Sequence, residues 1–337
     1  ITLTKNLYRI LDKSEKVKLN IYTILSVFNT FLEIVSVATI VFLLFIITGE
    51  ASSSSKISEY VLYFINKQDP LLSSAILMIS IILIKTLFQL VYYYNQEKLG
   101  YNIQKRLTNI LYYKFINSDY EDYLSRNSSK ILRILTIDSF KISNGIISPI
   151  ITIINEILLL SFITVFIFSY DILLGISVYF ISIIMLLIFS LRINKIMKKL
   201  GVIINSFNTA RIKSINESFR SFDIIKLHKK TLNFENKYKF QTDKITDAGF
   251  KSIFYMKIPK SIYEFVIFTL LFFLILIFKI TGKVDALVPT LSVLAISVYK
   301  IIPSLNKLSN SLQAIQLFSK PFADIIEFLK IKQDQEL

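Results

Sequence analysis

The sequence predicts an all-α integral membrane fold, with six transmembrane helices that continue as long helical extensions into the cytoplasm. Three observations carry this prediction. Six apolar runs reach the ~20 residues that a helix needs to span a bilayer, near Ile21–Ile47, Leu71–Tyr94, Gly145–Ser169, Asp171–Leu191, Ile262–Ile280 and Val284–Ile302. Lys and Arg collect in alternate connections between these runs. The two longest connections hold almost no Gly or Pro and keep a helical apolar period. Composition agrees: 53% of the 337 residues are hydrophobic, mean hydropathy is +0.56, and 19% are charged against roughly 25% in soluble domains.

Taken in order, residues 1–20 read as a cytoplasmic elbow and the first span contains an acid, Glu33. The following connection, Thr48–Pro70, places Ile57, Val61 and Phe64 at i, i+4, i+7. That spacing predicts a short amphipathic helix on the outer surface. The second span holds Lys85 in "IILIKTLFQLV" and ends on Tyr92, Tyr93 and Tyr94, which read as interface anchors where Trp is absent. The next connection keeps a helical period in "YNIQKRLTNILYYKF". Spans three and four are joined only by "SYD", Ser169–Asp171, and a second long connection leads to span five, with Lys260 at its start and Glu264 within it. Structureless loops of roughly 50 and 70 residues are uncommon, so both long connections read as helical hairpins. A 25-residue extension of a span reaches about 38 Å. Span six carries Lys300, Pro303 and Lys307 and runs on toward residues 316–337, which read as a linker.

The charge distribution orients the chain. Of 39 Lys and Arg, 5 precede the first span, 8 lie in the first long connection, 16 in the second and 3 after Gln313. Only Lys56, Lys67, Lys279 and Lys283 lie on the opposite side. Positive residues collect in the cytoplasm, which puts both termini and both hairpins there. The +15 net charge is thus a topology signal and not a nucleic-acid footprint. With no Cys, disulfides and thiolate metal sites are excluded, and the lone His228 has no partner set for a metal or a triad.

At the hairpin tips, "YEDYLSRNSSKILRILTID" (Tyr120–Asp138) and "NESFRSFDIIKLHKKTLNFENKYKF" (Asn216–Phe240) resemble the two inward hairpins of the transmembrane domain of ABC exporters (the type I, or type IV, exporter fold). Tyr123, Thr136 and Asp138 match in the first; Glu217, Ile225, Lys226, Glu235 and Phe240 match in the second. Ser129 and Ser221 stand where the family's turns carry Gly. The resemblance implies a domain-swapped dimer of transmembrane halves, with Tyr123–Lys130 and Arg220–His228 as coupling helices against ATP-binding domains. It implies that Tyr123, Ser129, Asp138, Glu217, Ser221 and Lys226 hold that coupling role. Within the family, "FLEIVSVATIVFL", "RNSSKILRILT" and "VYKIIPSLNKL" resemble flippases of lipid-linked oligosaccharides in bacterial protein glycosylation, which implies a bacterial inner-membrane location.

No P-loop is present. The seven glycines are Gly49, Gly100, Gly145, Gly175, Gly201, Gly249 and Gly282, and no two have the spacing of G-x-x-x-x-G-K-[ST]. The resemblance therefore implies that ATP and Mg are held by a nucleotide-binding domain, either in a longer form of this chain or on a separate polypeptide. This chain itself carries no cofactor site.

Ionisable residues inside spans cost roughly 2.5–3.5 kcal/mol each on insertion scales, so Glu33, Lys85, Glu156, Glu264, Lys300 and Lys307 are expected to face protein or water. In span six, Lys300, Ser304, Lys307 and Ser311 share one helical face, and Ile301, Leu305, Leu308 and Leu312 another. Two roles are open to Lys85, Lys260, Lys300 and Lys307: a cationic substrate cavity, or pairing with Glu33, Glu156 or Glu264. The resemblance implies arginines at these four positions in the flippase, contacting the pyrophosphate of the lipid carrier. The expected function is the membrane half of a dimeric exporter of an anionic lipid-linked glycan, working with lipid and with no nucleic acid. The alternatives are an exporter of peptides or hydrophobic compounds, a regulator that has lost its ATPase, and a membrane-embedded enzyme using one of the buried carboxylates.

Overall fold

The computed structural model describes residues 7–48, 70–125, 127–170, 172–280 and 287–330. Among them every regular element is helical. These are α1 (Lys13–Thr48), α2 (Pro70–Ile116), α3 (Tyr120–Ser125), α4 (Ser128–Arg133), α5 (Ser148–Tyr170), α6 (Ile172–Arg220), α7 (Phe222–Leu227), α8 (Thr231–Ile280) and α9 (Leu287–Lys330). Between α4 and α5 the chain winds through irregular turns, π over Ile134–Asp138 and Ser143–Ile147 and 3₁₀ over Ser139–Lys141.

Helices α2, α6, α8 and α9 run for 47, 49, 50 and 44 residues, which is roughly 70 Å at 1.5 Å per residue. That is over twice the ~30 Å hydrocarbon thickness of a bilayer, so the spans do continue as rods beyond it. Among the described residues, four helical stretches are long and apolar enough to cross a membrane: Lys13–Ile40, Leu71–Ile116, Ser143–Val165 and Tyr179–Arg220. Of the other two expected spans, Ile262–Ile280 falls within α8 and the described residues of Val284–Ile302 fall within α9. The expected surface helix at 57–64 lies outside the described residues.

At the hairpin end α2, the first tip and α9 share one core, while α6 and α8 pack through a second around Met197, Leu200 and Ala248. Leu99, Ile103, Leu107 and Leu111 recur every fourth residue along one face of α2 and are all buried. They cluster with Ile131, Ile134, Ile142 and Ile146 of the first tip, with Phe318, Phe322 and Ile325 of α9, and with Leu7 and Leu11 of the N-terminal segment. Each such side chain contributes about 1.5–3 kcal/mol. Residues 316–330 therefore form the last turns of a continuous helix that supplies part of the core. The N-terminal segment is further clamped by Arg106, whose guanidinium donates to Glu15 Oε1 and Oε2 at 2.7 and 2.6 Å and to the Ile10 carbonyl at 3.0 Å.

In the apolar half, Leu159, Ile163 and Ile167 of α5 pack with Met185, Tyr263, Ile267, Ile301 and Leu305. Tyr263 is wholly buried, and its hydroxyl meets Ser309 Oγ at 2.6 Å. The predicted packing face of span six is present, since Ile301, Leu305 and Leu308 are buried. Along the predicted polar face Lys307 is exposed, whereas Ser304 and Ser311 are buried, with the Ser304 hydroxyl facing the Glu156 carbonyl at 3.5 Å. Outward, Leu83, Ile84, Leu87 and Leu90 of α2 are all more than half exposed, as suits a helix whose outer surface meets lipid or another apolar surface.

Candidate functional site

The charged residues of the span region sort into pairs. Lys300 Nζ lies 2.8 Å from Glu33 Oε1, and Lys85 Nζ lies 3.9 Å from the same oxygen. One carboxylate on α1 thus sits between cations on α2 and α9, and all three side chains are less than a fifth exposed. Lys307 Nζ is 3.3 Å from Glu156 Oε1 on α5. Lys260 stands apart: it pairs at 3.8 Å with Glu264, one turn along α8, and both are exposed. Three of the four sequence-selected lysines are therefore brought to one region, and each of the four faces an acid.

Beside Glu33, on the hairpin side, is a cavity of about 310 Å³. Asn29, Thr30 and Glu33 of α1 form one wall, and Tyr93, Gln96 and Glu97 of α2 a second. Thr152, Asn155, Glu156 and Leu159 of α5 and Lys307 of α9 complete it. The tyrosine run is divided by this geometry. Tyr92 is buried, with its hydroxyl donating to Asn155 Oδ1 at 3.1 Å. Tyr93 lines the cavity, and only Tyr94 is mostly exposed as an interface anchor requires. Sequence reasoning missed Asn29, Gln96 and Asn155. The available signal was a polar amide close to an acid, one turn before it in "NTFLE" and directly before it in "QE" and "NE".

The first tip is two short helices. The Asn127 side chain caps α4, with Oδ1 accepting from the backbone N–H groups of Ser129 and Lys130 at 3.0 and 3.3 Å, which satisfies two of the donors a helix start leaves open. Tyr120 and Leu124 of α3, the helix that holds Tyr123, are exposed. Ser129 and Asp138 are buried, so both sit inside the hairpin and not on its contact surface. The second tip is α7, which follows Ser221. Its Ile225 is buried, while Phe219, Phe222, Ile224 and Leu227 are 58–80% exposed. Lys226 Nζ lies 5.7 Å from the centre of the Phe222 ring. The backbone turns back at Lys229, with φ of 51°. Glu217 accepts from Lys237 Nζ at 2.9 Å, and that hydrogen bond holds its carboxyl below the usual carboxylate range. A cluster of exposed large apolar side chains at the end of a rod marks a contact surface.

A buried ion network that sequence reasoning also missed joins the first tip to the long helices. Arg133, 3% exposed, donates from Nε to Asp138 Oδ2 at 2.9 Å and from Nη2 to Asp324 Oδ2 at 2.6 Å. Its Nη1 donates to the Asn205 carbonyl at 3.2 Å and to the Thr209 hydroxyl. Asn205 Nδ2 and Lys320 Nζ also reach Asp324, both at 3.0 Å. Burial pushes the Asp138 carboxyl above the usual range despite Arg133 beside it. Burial acts the same way on Asp324, but hydrogen bonds from Lys320, Arg133 and Asn205 outweigh it and hold that carboxyl below the range.

With this architecture described, its relatives can be stated. A bacterial Atm1-family ABC exporter, solved with ATP bound, aligns with 95% of this chain at a TM-score of 0.65 and 12% identity. At that identity the likeness is one of fold, and this chain spans 54% of that exporter's length. The sequence pattern of the ABC transporter transmembrane region matches residues 19–296. Long rods, hairpins with short tip helices and that pattern agree: the chain is a multi-pass membrane protein that belongs to the ABC transporter transmembrane-region family.

Proposed function

We propose that the chain is the transmembrane half of an ATP-driven exporter or flippase that moves an anionic lipid-linked glycan across a bacterial inner membrane. Two such halves, with six spans each and hairpins exchanged between them, line an alternating-access pathway. The termini are cytoplasmic. ATP and Mg bind a nucleotide-binding domain, in the same full-length chain or separate, whose closure is transmitted through α3–α4 and α7. The exposed apolar side chains of α7 suit such a docking partner.

The observation that carries the cargo assignment is the sharing of Glu33 by Lys85 and Lys300. One carboxylate facing two ammonium groups leaves a local surplus of positive charge, and a phosphate can exchange with Glu33 for both. Lysine serves phosphate as a point charge. The three carboxylates around the cavity, Glu33, Glu97 and Glu156, favour a second reading: an exporter of peptides, whose amines they would take. ATPase stimulation of the full-length complex by lipid-linked glycan against peptide separates the two. The double substitution Lys85→Gln/Lys300→Gln is expected to lower transport of the glycan carrier at least tenfold with membrane insertion intact. No response to any anionic lipid overturns the first reading.

A further inference from the structure

We infer that the cavity enclosed by α1, α2, α5 and α9 binds an uncharged, hydroxyl-rich group, the sugar end of an amphipathic ligand, and that the ligand's phosphate stays outside it. The identity of the whole ligand rests on the export reading above; the chemistry of the cavity does not.

The first argument is charge. Lys85 and Lys300 do not line the cavity, and Lys307 is the one cation that does. Lys307 is already paired with Glu156 at 3.3 Å. The lining carboxylates Glu33, Glu97 and Glu156 are in turn engaged: Glu33 by Lys300, Glu97 by the Ser148 hydroxyl and Glu156 by Lys307. Three acids and the three lysines around them sum to zero. An anion entering the cavity meets carboxylates before any unpaired cation, and an ammonium group would have to displace a lysine at Glu33 or Glu156 or the Ser148 hydroxyl at Glu97.

The second argument is unmet hydrogen bonding. Asn29 and Gln96 are 4% and 6% exposed. Asn29 Oδ1 and Gln96 Oε1 have no hydrogen-bond partner, and both residues line the cavity. A buried amide left in that state is unstable relative to a bonded one. A hydroxyl donates and accepts, so it satisfies either end of an amide. Tyr93 and Leu159 add an aromatic ring and an apolar edge to its lining. The volume, about 310 Å³, is at the small end of the ~300–1,000 Å³ range of ligand sites and suits a single small headgroup.

The third argument is position. Lys307 follows Lys300 by seven residues on α9, about 10 Å along a helix, in the direction of the hairpins. A phosphate at Lys85 and Lys300 therefore leaves the group attached to it at the cavity, with the lipid tail on the opposite side. One extended ligand accounts for both features in that order.

The test uses the full-length transporter in lipid nanodiscs and measures equilibrium binding by native mass spectrometry. Three probes are compared: bare polyisoprenyl pyrophosphate, the same carrier bearing one hexose, and an uncharged glucosyl diacylglycerol. Asn29→Leu and Gln96→Met are close to isosteric and remove the amides. Each is expected to weaken both sugar-bearing probes about two- to tenfold, the loss of one neutral hydrogen bond, and to leave the bare carrier within twofold. If Asn29→Leu does not insert, Asn29→Ser carries the same comparison. Equal weakening of bare and sugar-bearing carriers, or no saturable binding of the uncharged glycolipid to the wild type, overturns the inference. Saturable glycolipid binding with no binding of either pyrophosphate probe upholds the cavity and removes the lysine reading instead.

Discussion

Replacing Arg133 with Met keeps most of the stem's volume and removes four hydrogen bonds at once. The two acids it serves respond differently. Asp324 retains Lys320 and Asn205 at 3.0 Å. Asp138 does not: among the described residues Arg133 is the one side chain seen donating to it, and the Asp138 side chain is 5% exposed. Stranding a buried charge in this way costs about 3–5 kcal/mol. Protonation sets a ceiling, because neutralising a carboxyl of ordinary pKa ~3.9 at pH 7 takes about 4 kcal/mol at 1.36 per pKa unit, and less for one already raised as Asp138 is. We therefore expect a loss of about 3 kcal/mol at pH 7. In the Arg133→Met variant the folded-state pKa of Asp138 lies well above its unfolded value. The loss is then absent below the unfolded pKa and grows as pH rises toward the folded one, so it shrinks by up to about 1.4 kcal/mol for each unit of acidification below the folded pKa. Hydrogen exchange of the amides of residues 134–147 reads this directly: 3 kcal/mol is roughly 150-fold faster exchange at pH 7. Arg133→Met/Asp138→Leu removes the stranded charge and is expected to recover most of the protection. Exchange within threefold of wild type in the single variant, or no recovery in the double, refutes the argument.

Two further outcomes follow from the span region and the helix crossings. Glu33→Gln leaves Lys85 and Lys300 facing each other around a neutral amide and is expected to lower stability by about 3 kcal/mol in thermal or detergent unfolding. Lys85→Met is expected to cost less, because Lys300 keeps Glu33 at 2.8 Å; a Lys85 variant worse than the Glu33 variant contradicts that ranking. Gly201→Ala places a Cβ against the Leu317 carbonyl oxygen, so α6 and α9 must separate, at about 1–3 kcal/mol. Gly249→Ala meets nothing within 4 Å and is expected to stabilise α8 by roughly 0.5–1 kcal/mol; equal melting temperatures for the two would show that the crossing is not tight.

The rods and hairpins were legible because their cause is local. Apolar runs, a scarcity of Gly and Pro and a leucine-type repeat such as Leu99, Ile103, Leu107, Leu111 act within a few turns of helix. The ion pairs were legible only as a set. The sequence shows acids and lysines inside spans, and bilayer energetics demands partners for them, but the choice of Glu33 for both Lys85 and Lys300 is made across 52 and 267 residues by the packing of α1, α2 and α9. The polar face of span six was legible in part for the same reason: a helical period says which residues share a face, and not that Ser304 and Ser311 will be covered by a neighbour while Lys307 stays exposed. Arg133 was hidden more deeply. In "SSKILRILTID" it reads as one more positive residue of a cytoplasmic tip, and its main acid, Asp324, lies 191 residues away.

That network also bears on how the two tips divide their work. The second tip carries its apolar residues outward, with Phe219 and Leu227 each 80% exposed, and its fixed points are few: buried Ile225 and the Glu217–Lys237 pair. Such a surface suits the docking partner proposed above. The first tip is the reverse. Ser129, Arg133 and Asp138 are buried, and Arg133 ties the hairpin to Asn205 and Thr209 on α6 and to Asp324 on α9. A force applied to exposed Tyr120 or Leu124 of α3 passes into a cluster that links α4, α6 and α9. Along α9, a helix that carries Pro321 and Pro303, the cluster is joined to Lys307 and Lys300. The irregular π and 3₁₀ turns of residues 134–147 lie beside this cluster, where the helical hydrogen-bond register is already shifted and a change of winding is least expensive. The buried cluster and the adjustable turns thus meet at Arg133, so in the exporter proposed above Arg133→Met is expected to lower substrate-stimulated ATPase activity of the full-length complex even where the fold survives, and unchanged stimulation would refute that link.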